Sequence, residues 1–211
     1  MASSKQNGFS LLELLITVSF GLIMTGITFI SIQPMLNQSH VNSAYDTTLM
    51  VLRNTRNLAI TQGHEYYVNF NPGGFPAGTI QVQYQPPAVG AGPAPPLQQV
   101  LTYTIPKDVS FAVQAGFPAS APDGFGAGTT AIDFGQALAG EPMNYVVFMP
   151  DGSSQTGVVG GTGAYNSGVV YLTRPSDSIY RSRAVTVWGA TGRIRGWRLD
   201  QQAGAPIWVQ Q

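Results

Sequence analysis

The chain has 211 residues, 44% of them hydrophobic, yet Lys, Arg, Asp and Glu together make up 9%, against about 25% in an ordinary soluble domain. Ten basic and ten acidic residues cancel to a formal net charge of zero, so no global field draws the chain to nucleic acid or an anionic surface, and a highly charged disordered chain is excluded. There is no Cys and there are two His, His40 and His64, which excludes a disulfide framework and a thiolate zinc site and leaves little material for metal or general-base chemistry.

Residues 1–8 are short and polar, with Lys5 as their one charge. From Leu14 to Gln38 no residue is charged, and Leu14 to Ile32 is dominated by Leu, Ile, Val, Phe, Met and small residues. As a helix this stretch spans about 28 Å, close to the ~30 Å of a bilayer's hydrocarbon core. It predicts a membrane-spanning half-helix over 9–32. The run is longer than the apolar region of a cleaved secretory signal and lacks the small-residue ending such signals need. Glu13 stands among Leu11, Leu12, Leu14 and Leu15. An acid at the bilayer centre costs about 2.5–3.5 kcal/mol, so an intramembrane carboxylate is a candidate functional group.

The segment Lys5 to Thr17, KQNGFSLLELLIT, resembles the class III signal of bacterial type IV pilins and type II secretion pseudopilins: a polar leader ending in Gly, then Phe, then an apolar run with Glu four places after the Phe. The resemblance implies that a prepilin peptidase cuts between Gly8 and Phe9 and methylates the new amino terminus. Phe9 would then carry an ammonium about 6 Å from Glu13 along the helix axis. Both charges need partners in low dielectric, and a neighbouring subunit's amino terminus can satisfy Glu13 when subunits stack with an axial offset. Lys5 would stay cytoplasmic, placing the chain beyond residue 32 outside the bacterial inner membrane, in the periplasm or on a filament.

Residues 33–62 read as an amphipathic continuation. Val41, Ala44, Tyr45, Thr48, Leu49, Leu52, Arg56 and Ala59 recur at helical spacing, with Gly63 as the stop. Pro34 predicts a kink or local melting. Arg53 and Arg56 read either as a solvated helix face or as part of the stretch Leu52 to Phe70, LRNTRNLAITQGHEYYVNF, which is similar to the helix end and first strand of the GspH/FimT branch of pseudopilins and minor pilins.

Beyond Gly63 the period falls towards 2. Strands are expected at Glu65–Phe70, Thr79–Tyr84, Val100–Ile105, Val109–Val113, Asn144–Met149, Gly168–Thr173, Ala184–Trp188 and Arg193–Leu199, as antiparallel meanders and hairpins. The linkers Pro86–Pro96 and Gly116–Thr130, rich in Gly, Pro and Ala, are expected to be exposed loops. Val146 to Ser153, VVFMPDGS, followed by GVVYLTR, resembles the late pattern of GspH/FimT heads; Asp-Gly also favours a hairpin in any β protein.

Residues 171–211 hold six arginines against two aspartates, a net charge of +4, whereas 63–170 carry one lysine against six acids, a net charge of −5. In a strand, Arg193, Arg195 and Trp197 share one face and Ile194, Gly196 and Arg198 the other, and guanidinium groups beside an indole form a platform for phosphates and stacked bases. Gly192 to Arg195, GRIR, resembles the C-terminal Gly-Arg-x-Arg motif of FimT-like minor pilins. That resemblance implies DNA contact through Arg193 and Arg195, with Arg198 extending the patch. The alternative is a charged edge strand or subunit interface.

No HExxH, GxSxG, P-loop or dinucleotide-binding pattern is present, so no catalytic residue, metal site or cofactor is expected. The expected fold is α+β: a leader (1–8), a long N-terminal helix (9–32 in the membrane, 33–62 amphipathic) packed on an antiparallel β head (63–211). The expected role is a structural minor pilin or pseudopilin. Its partners would be other subunits, a prepilin peptidase, the inner membrane before assembly and, in the alternative role, DNA.

Overall fold

A computed structural model of the chain describes residues 10–70, 78–87, 95–126, 128–134, 144–156 and 163–211. The leader and the expected cleavage pair Gly8 and Phe9 lie outside them, as does the middle of the first linker. The chain divides into two units, Met1–Ser39 and His40–Gln211. Helix α1, Leu11–Gln62, contributes to both.

In the first unit, Leu11–Thr28 is long and apolar enough to cross a membrane, and none of it is buried within the chain. Its four hydroxyl side chains all turn back onto the helix: Thr17 donates to the Leu14 carbonyl, Ser19 to Leu15, Thr25 to Gly21 and Thr28 to Met24, at 2.7–2.9 Å. Such bonds let a hydroxyl sit in hydrocarbon without an unsatisfied donor. Glu13 is the one ionisable residue in that stretch, and, carrying only acceptors, it cannot donate back to a helix carbonyl as the hydroxyls do. The helix is continuous through Pro34, so the melting expected there does not occur. A proline deletes one hydrogen bond of the ladder, and 52 residues of helix leave intact turns on both sides to carry the chain across.

The second unit is built around His40–Gln62 of α1. Val41, Ala44, Tyr45, Leu49, Leu52 and Ala59 are buried as the periodicity requires, together with Val51, Thr48 and Thr55. The two threonine hydroxyls donate to the carbonyls of Ala44 and Val51, so burial leaves neither unsatisfied. Gly63 ends the helix, its N–H on the Ala59 carbonyl.

The strands are β1 (Tyr66–Phe70), β2 (Thr79–Tyr84), β3 (Gln98–Thr104), β4 (Ser110–Phe111), β5 (Ile132–Phe134), β6 (Tyr145–Phe148), β7 (Ser154–Gln155), β8 (Gly168–Thr173), β9 (Arg183–Trp188), β10 (Arg193–Gln202) and β11 (Ala205–Gln210). They form two antiparallel sheets, one in the order β3-β2-β1-β6-β7 and one in the order β11-β10-β9-β8-β4, with β5 also paired to β8. Alternate residues of the central strands face the helix. Tyr66, Val68 and Phe70 of β1, Val146 and Phe148 of β6, Val170 and Leu172 of β8, and Val185 and Val187 of β9 meet the helix in one core. Phe70 stacks on Phe134 and meets Phe111 edge-on. The α+β arrangement of a long N-terminal helix with antiparallel sheets is thus the observed one.

Two expectations are corrected. The linker Gly116–Thr130 is not simply an exposed loop. Pro122 is buried, and Phe117 and Phe125 pack with Trp197 and Trp208 on a second core of Val169, Tyr171 and Ala184. A sheet whose outer face carries Val169 and Tyr171 must be covered, and the linker's aromatics do so. Strand β10 also continues past Leu199 into a hairpin with β11, pairing Gln202 with Ala205 across Ala203 and Gly204. Both turn residues have positive φ, which is the twist a two-residue hairpin needs.

At the other end of the second unit, His40 Nδ1 lies 2.9 Å from Asp108 Oδ2. Arg174 Nε also lies 2.9 Å from that oxygen, off the line of its N–H, as an ion pair. Burial works to raise the Asp108 carboxyl. The His40 hydrogen bond, the Asp108 N–H and the His40 and Arg174 charges outweigh it and hold the group below the ordinary carboxylate range. A depressed carboxyl contributes stability above its unfolded value, about 3.9, and loses it as pH falls through the folded value. Asp108→Asn is therefore expected to lower stability at neutral pH by up to about 1 kcal/mol. The gap from the native chain should close between about pH 4 and the acid limit, as followed by urea unfolding across pH.

Candidate functional site

Arg56 lies near the end of α1, half-buried rather than solvated. Its Nε donates to the Gly152 carbonyl and its Nη2 to the Thr191 carbonyl, both at 3.0 Å. Gly152 belongs to the turn after β6, and Thr191 to the turn between β9 and β10. The solvated-face reading of Arg56 is therefore wrong: one guanidinium ties together the helix end and both turns.

The glycines of those turns follow from this contact. A Cβ on Gly152 would come 2.9 Å from Ile60 Cδ1 and 3.1 Å from Arg56 Nη2. One on Gly192 would come 1.9 Å from the Gly152 carbonyl oxygen and 2.7 Å from Arg56 Nε. Both residues also have positive φ, 81° and 60°, which favours glycine. The three short patterns noted in the sequence, around Arg56, Pro150-Asp151-Gly152 and Gly192-Arg193, thus meet at one junction. Asp151 secures its own turn by accepting from the Ser153 N–H at 2.8 Å, and hydrogen bonding from the Ser153 side chain and then from its N–H holds the carboxyl below the usual range.

Beside the junction a groove of about 560 Å³ is lined by Arg53, Arg56, Asn57, Thr191, Gly192, Arg193 and Ile194. Arg53 and Arg193 are exposed. Arg56 spends its donors on carbonyls, so its charge is not cancelled. Three guanidinium groups and no carboxylate line the groove, which makes it a local cationic site on a chain of zero net charge.

The other arginines of the C-terminal segment are engaged. Arg195 Nη1 lies 2.5 Å from Asp123 Oδ1, and that aspartate's side chain is 6% exposed. Asp123 Oδ2 accepts from Thr186 Oγ1, which in turn accepts from Trp197 Nε1 at 3.0 Å. The expected platform of Arg195 beside Trp197 is thus turned inward, against the linker. Arg198 pairs with Asp200 at 2.8 Å on the surface, and Arg181 with Asp177 at 2.8 Å. Arg183 is buried, donating to Asn42 Oδ1 and to the carbonyls of Arg181 and Ser182. Burial lowers its pKa from the usual arginine value. Among the described residues, Arg193 is the one member of the expected trio Arg193, Arg195 and Arg198 whose guanidinium has no ion pair. Strand alternation does place Ile194 and Gly196 towards the helix, with Ile194 on the main core and Gly196 against Tyr45.

Sequence reasoning did not find Asp123, which lies in a linker 72 residues from Arg195. Its only local signal, Pro-Asp-Gly, reads as a turn. Glu13, the other expected site residue within the described chain, is exposed on α1.

No protein-family model and no curated protein matches the chain. Among solved structures it is similar to the type IV minor pilin FimU of Pseudomonas aeruginosa (strain PAO1), at 11% identity and a TM-score of 0.42, over 82% of this chain and 97% of that one.

The junction and the rim make different demands on stability. Arg56→Ala removes two hydrogen bonds from a charged donor and leaves two carbonyls short, an expected loss of about 2–3 kcal/mol. Arg53→Ala, on the exposed rim, is expected to stay within about 0.5 kcal/mol. Denaturant unfolding of the two variants side by side checks the contrast.

Proposed function

We propose that the chain is a structural, pilin-like subunit: a minor pilin or pseudopilin of the GspH/FimT kind. It would be held in the bacterial inner membrane by the first half of α1, with its head in the periplasm, and would then assemble into a pilus or pseudopilus filament. The observation that carries this reading is Glu13. Every hydroxyl in Leu11–Thr28 is satisfied within the helix, whereas Glu13 is a carboxylate on an exposed apolar segment and needs a cation from another molecule. The amino terminus created by cleavage between Gly8 and Phe9, borne on a neighbouring subunit, supplies that cation. The leader 1–8 is the prepilin peptidase's recognition segment, and the head 63–211 is the outward-facing part.

A second reading, DNA capture during transformation through the C-terminal arginines, draws its support from the cationic groove at Arg193. Arg195 and Arg198 contribute less to it than the sequence suggests, because each already faces a carboxylate.

In cells with an active prepilin peptidase, the mature chain is expected to begin at N-methylated Phe9, as read by intact-mass spectrometry. Persistence of residues 1–8 overturns the subunit reading. Glu13→Ala is expected to be cleaved normally and yet to be at least tenfold depleted from sheared filaments, because cleavage and assembly use different residues.

A further inference from the structure

We infer that the arginine groove receives the Asp46 carboxylate of a second copy of this chain, the two copies lying with their α1 helices parallel and displaced by about seven residues. This rests on the subunit reading above and adds a contact in the head to the one at Glu13.

The groove gathers Arg53, Arg56 and Arg193 without a lining carboxylate. Three like charges held at one place repel one another and favour an anion between them, and the planar guanidinium fork suits a carboxylate. The exposed stripe of α1 that leads into the groove supplies such a group. Ser43, Asp46, Met50, Arg53, Asn57 and Ile60 are all exposed and recur at helical spacing. Asp46 and Arg53 are seven residues apart, which is about 10.5 Å along the axis and within about 20° of the same face. That separation is too long for an ion pair inside one chain, and no ion pair among the described residues includes either of them. Arg183, whose charge is felt at Asp46 from the head side, spends its donors on Asn42 and on two carbonyls.

Between parallel copies displaced by seven residues, Asp46 of one stands level with Arg53 of the next. Met50 and Ile60, each 43% exposed, give the contact apolar surface to bury. The donor patch and the acceptor groove are different surfaces, so the contact is heterologous. It repeats from copy to copy instead of closing into a dimer.

The absence of native cysteine makes disulfide trapping clean. In the full chain expressed in membranes with an active prepilin peptidase, co-expressed Asp46→Cys and Arg53→Cys chains are expected to give a mixed dimer on mild oxidation. Neither chain alone should give one, and the double variant should give a ladder. The yield of the native chain in sheared filaments reports whether copies associate at all. Filaments of the native chain without the mixed dimer overturn the docking and leave the subunit reading intact; neither filaments nor the mixed dimer overturns both. An equal dimer from Asp46→Cys alone marks a symmetric contact and also overturns the docking.

Charge reversal gives a measurement that does not depend on the new thiols at the contact. In the otherwise native chain, Asp46→Arg or Arg53→Asp is expected to cut the yield of sheared filaments several-fold, and the two together in one chain to restore it. Failure to restore overturns the inference. So does binding of a short DNA duplex that Arg53→Ala abolishes when the mixed dimer is absent, since the groove then belongs to a polyanion.

Discussion

The architecture of the second unit depends on the stripe of α1 from Val41 to Ala59. A single helix face, buried along its length, serves as the common wall for residues from both sheets: Val68 and Phe148 from one, Val170 and Val185 from the other. Two twisted sheets without such a wall would each expose an apolar face. The helix supplies it with Val, Leu, Tyr and Ala side chains, and its buried threonines bond their own backbone. Arg56 then fixes the end of this wall to the Gly152 and Thr191 turns, one in each half of the β structure, so that the hydrophobic contact acquires a register.

Scarcity of charge gives each charged group a definite position. The ion pairs lie where loops and strand ends need fastening: Asp108 with His40 and Arg174, Asp177 with Arg181, Asp123 with Arg195. The last of these is the most consequential. It holds the linker over the outer face of the sheet that contains Tyr171, and it withdraws from the surface an arginine that composition alone would assign to ligand binding. A net charge of +4 in the final 41 residues is therefore not a +4 surface, because most of it is neutralised on the spot or buried with its donors satisfied.

The fold was legible where periodicity is strong. Thr79–Tyr84 and Gly168–Thr173 coincide with the expected strands, and every expected residue of the helix stripe but Arg56 is buried, with Val51 and Thr55 added to it. The short strands β5 and β7 were missed because three and two residues cannot show a period. β11 was missed because Pro206 and an Ala-Gly turn argue locally against a strand. Pro206 is tolerated there because β11 is an edge strand, a fact of topology rather than of local sequence. The site was less legible still. The motif around Gly192 and Arg193 could be seen, but its reason is steric: Arg56 and the Gly152 carbonyl occupy the space a Cβ would need, and that contact joins residues about 40 and 136 positions apart. Sequence shows which residues are unusual; tertiary contact decides whether an unusual residue is spent on structure or left for a partner.

That last distinction can be made group by group. Thr17, Ser19, Thr25 and Thr28 have short side chains that reach their own helix, so the apolar segment closes its hydrogen bonding without help. A carboxylate cannot do this, because it carries only acceptors and so cannot donate back to a helix carbonyl. The same reasoning separates the arginines. Arg56 reaches two carbonyls and Arg195 a carboxylate, so their removal is felt within the chain. Arg53 and Arg193 reach neither among the described residues, so they add charge to the surface without adding to the fold. Groups left without a partner among the described residues are the ones open to a second molecule. Glu13 in the apolar helix and the Arg53–Arg193 rim at the head are this chain's two clearest instances, one of each sign.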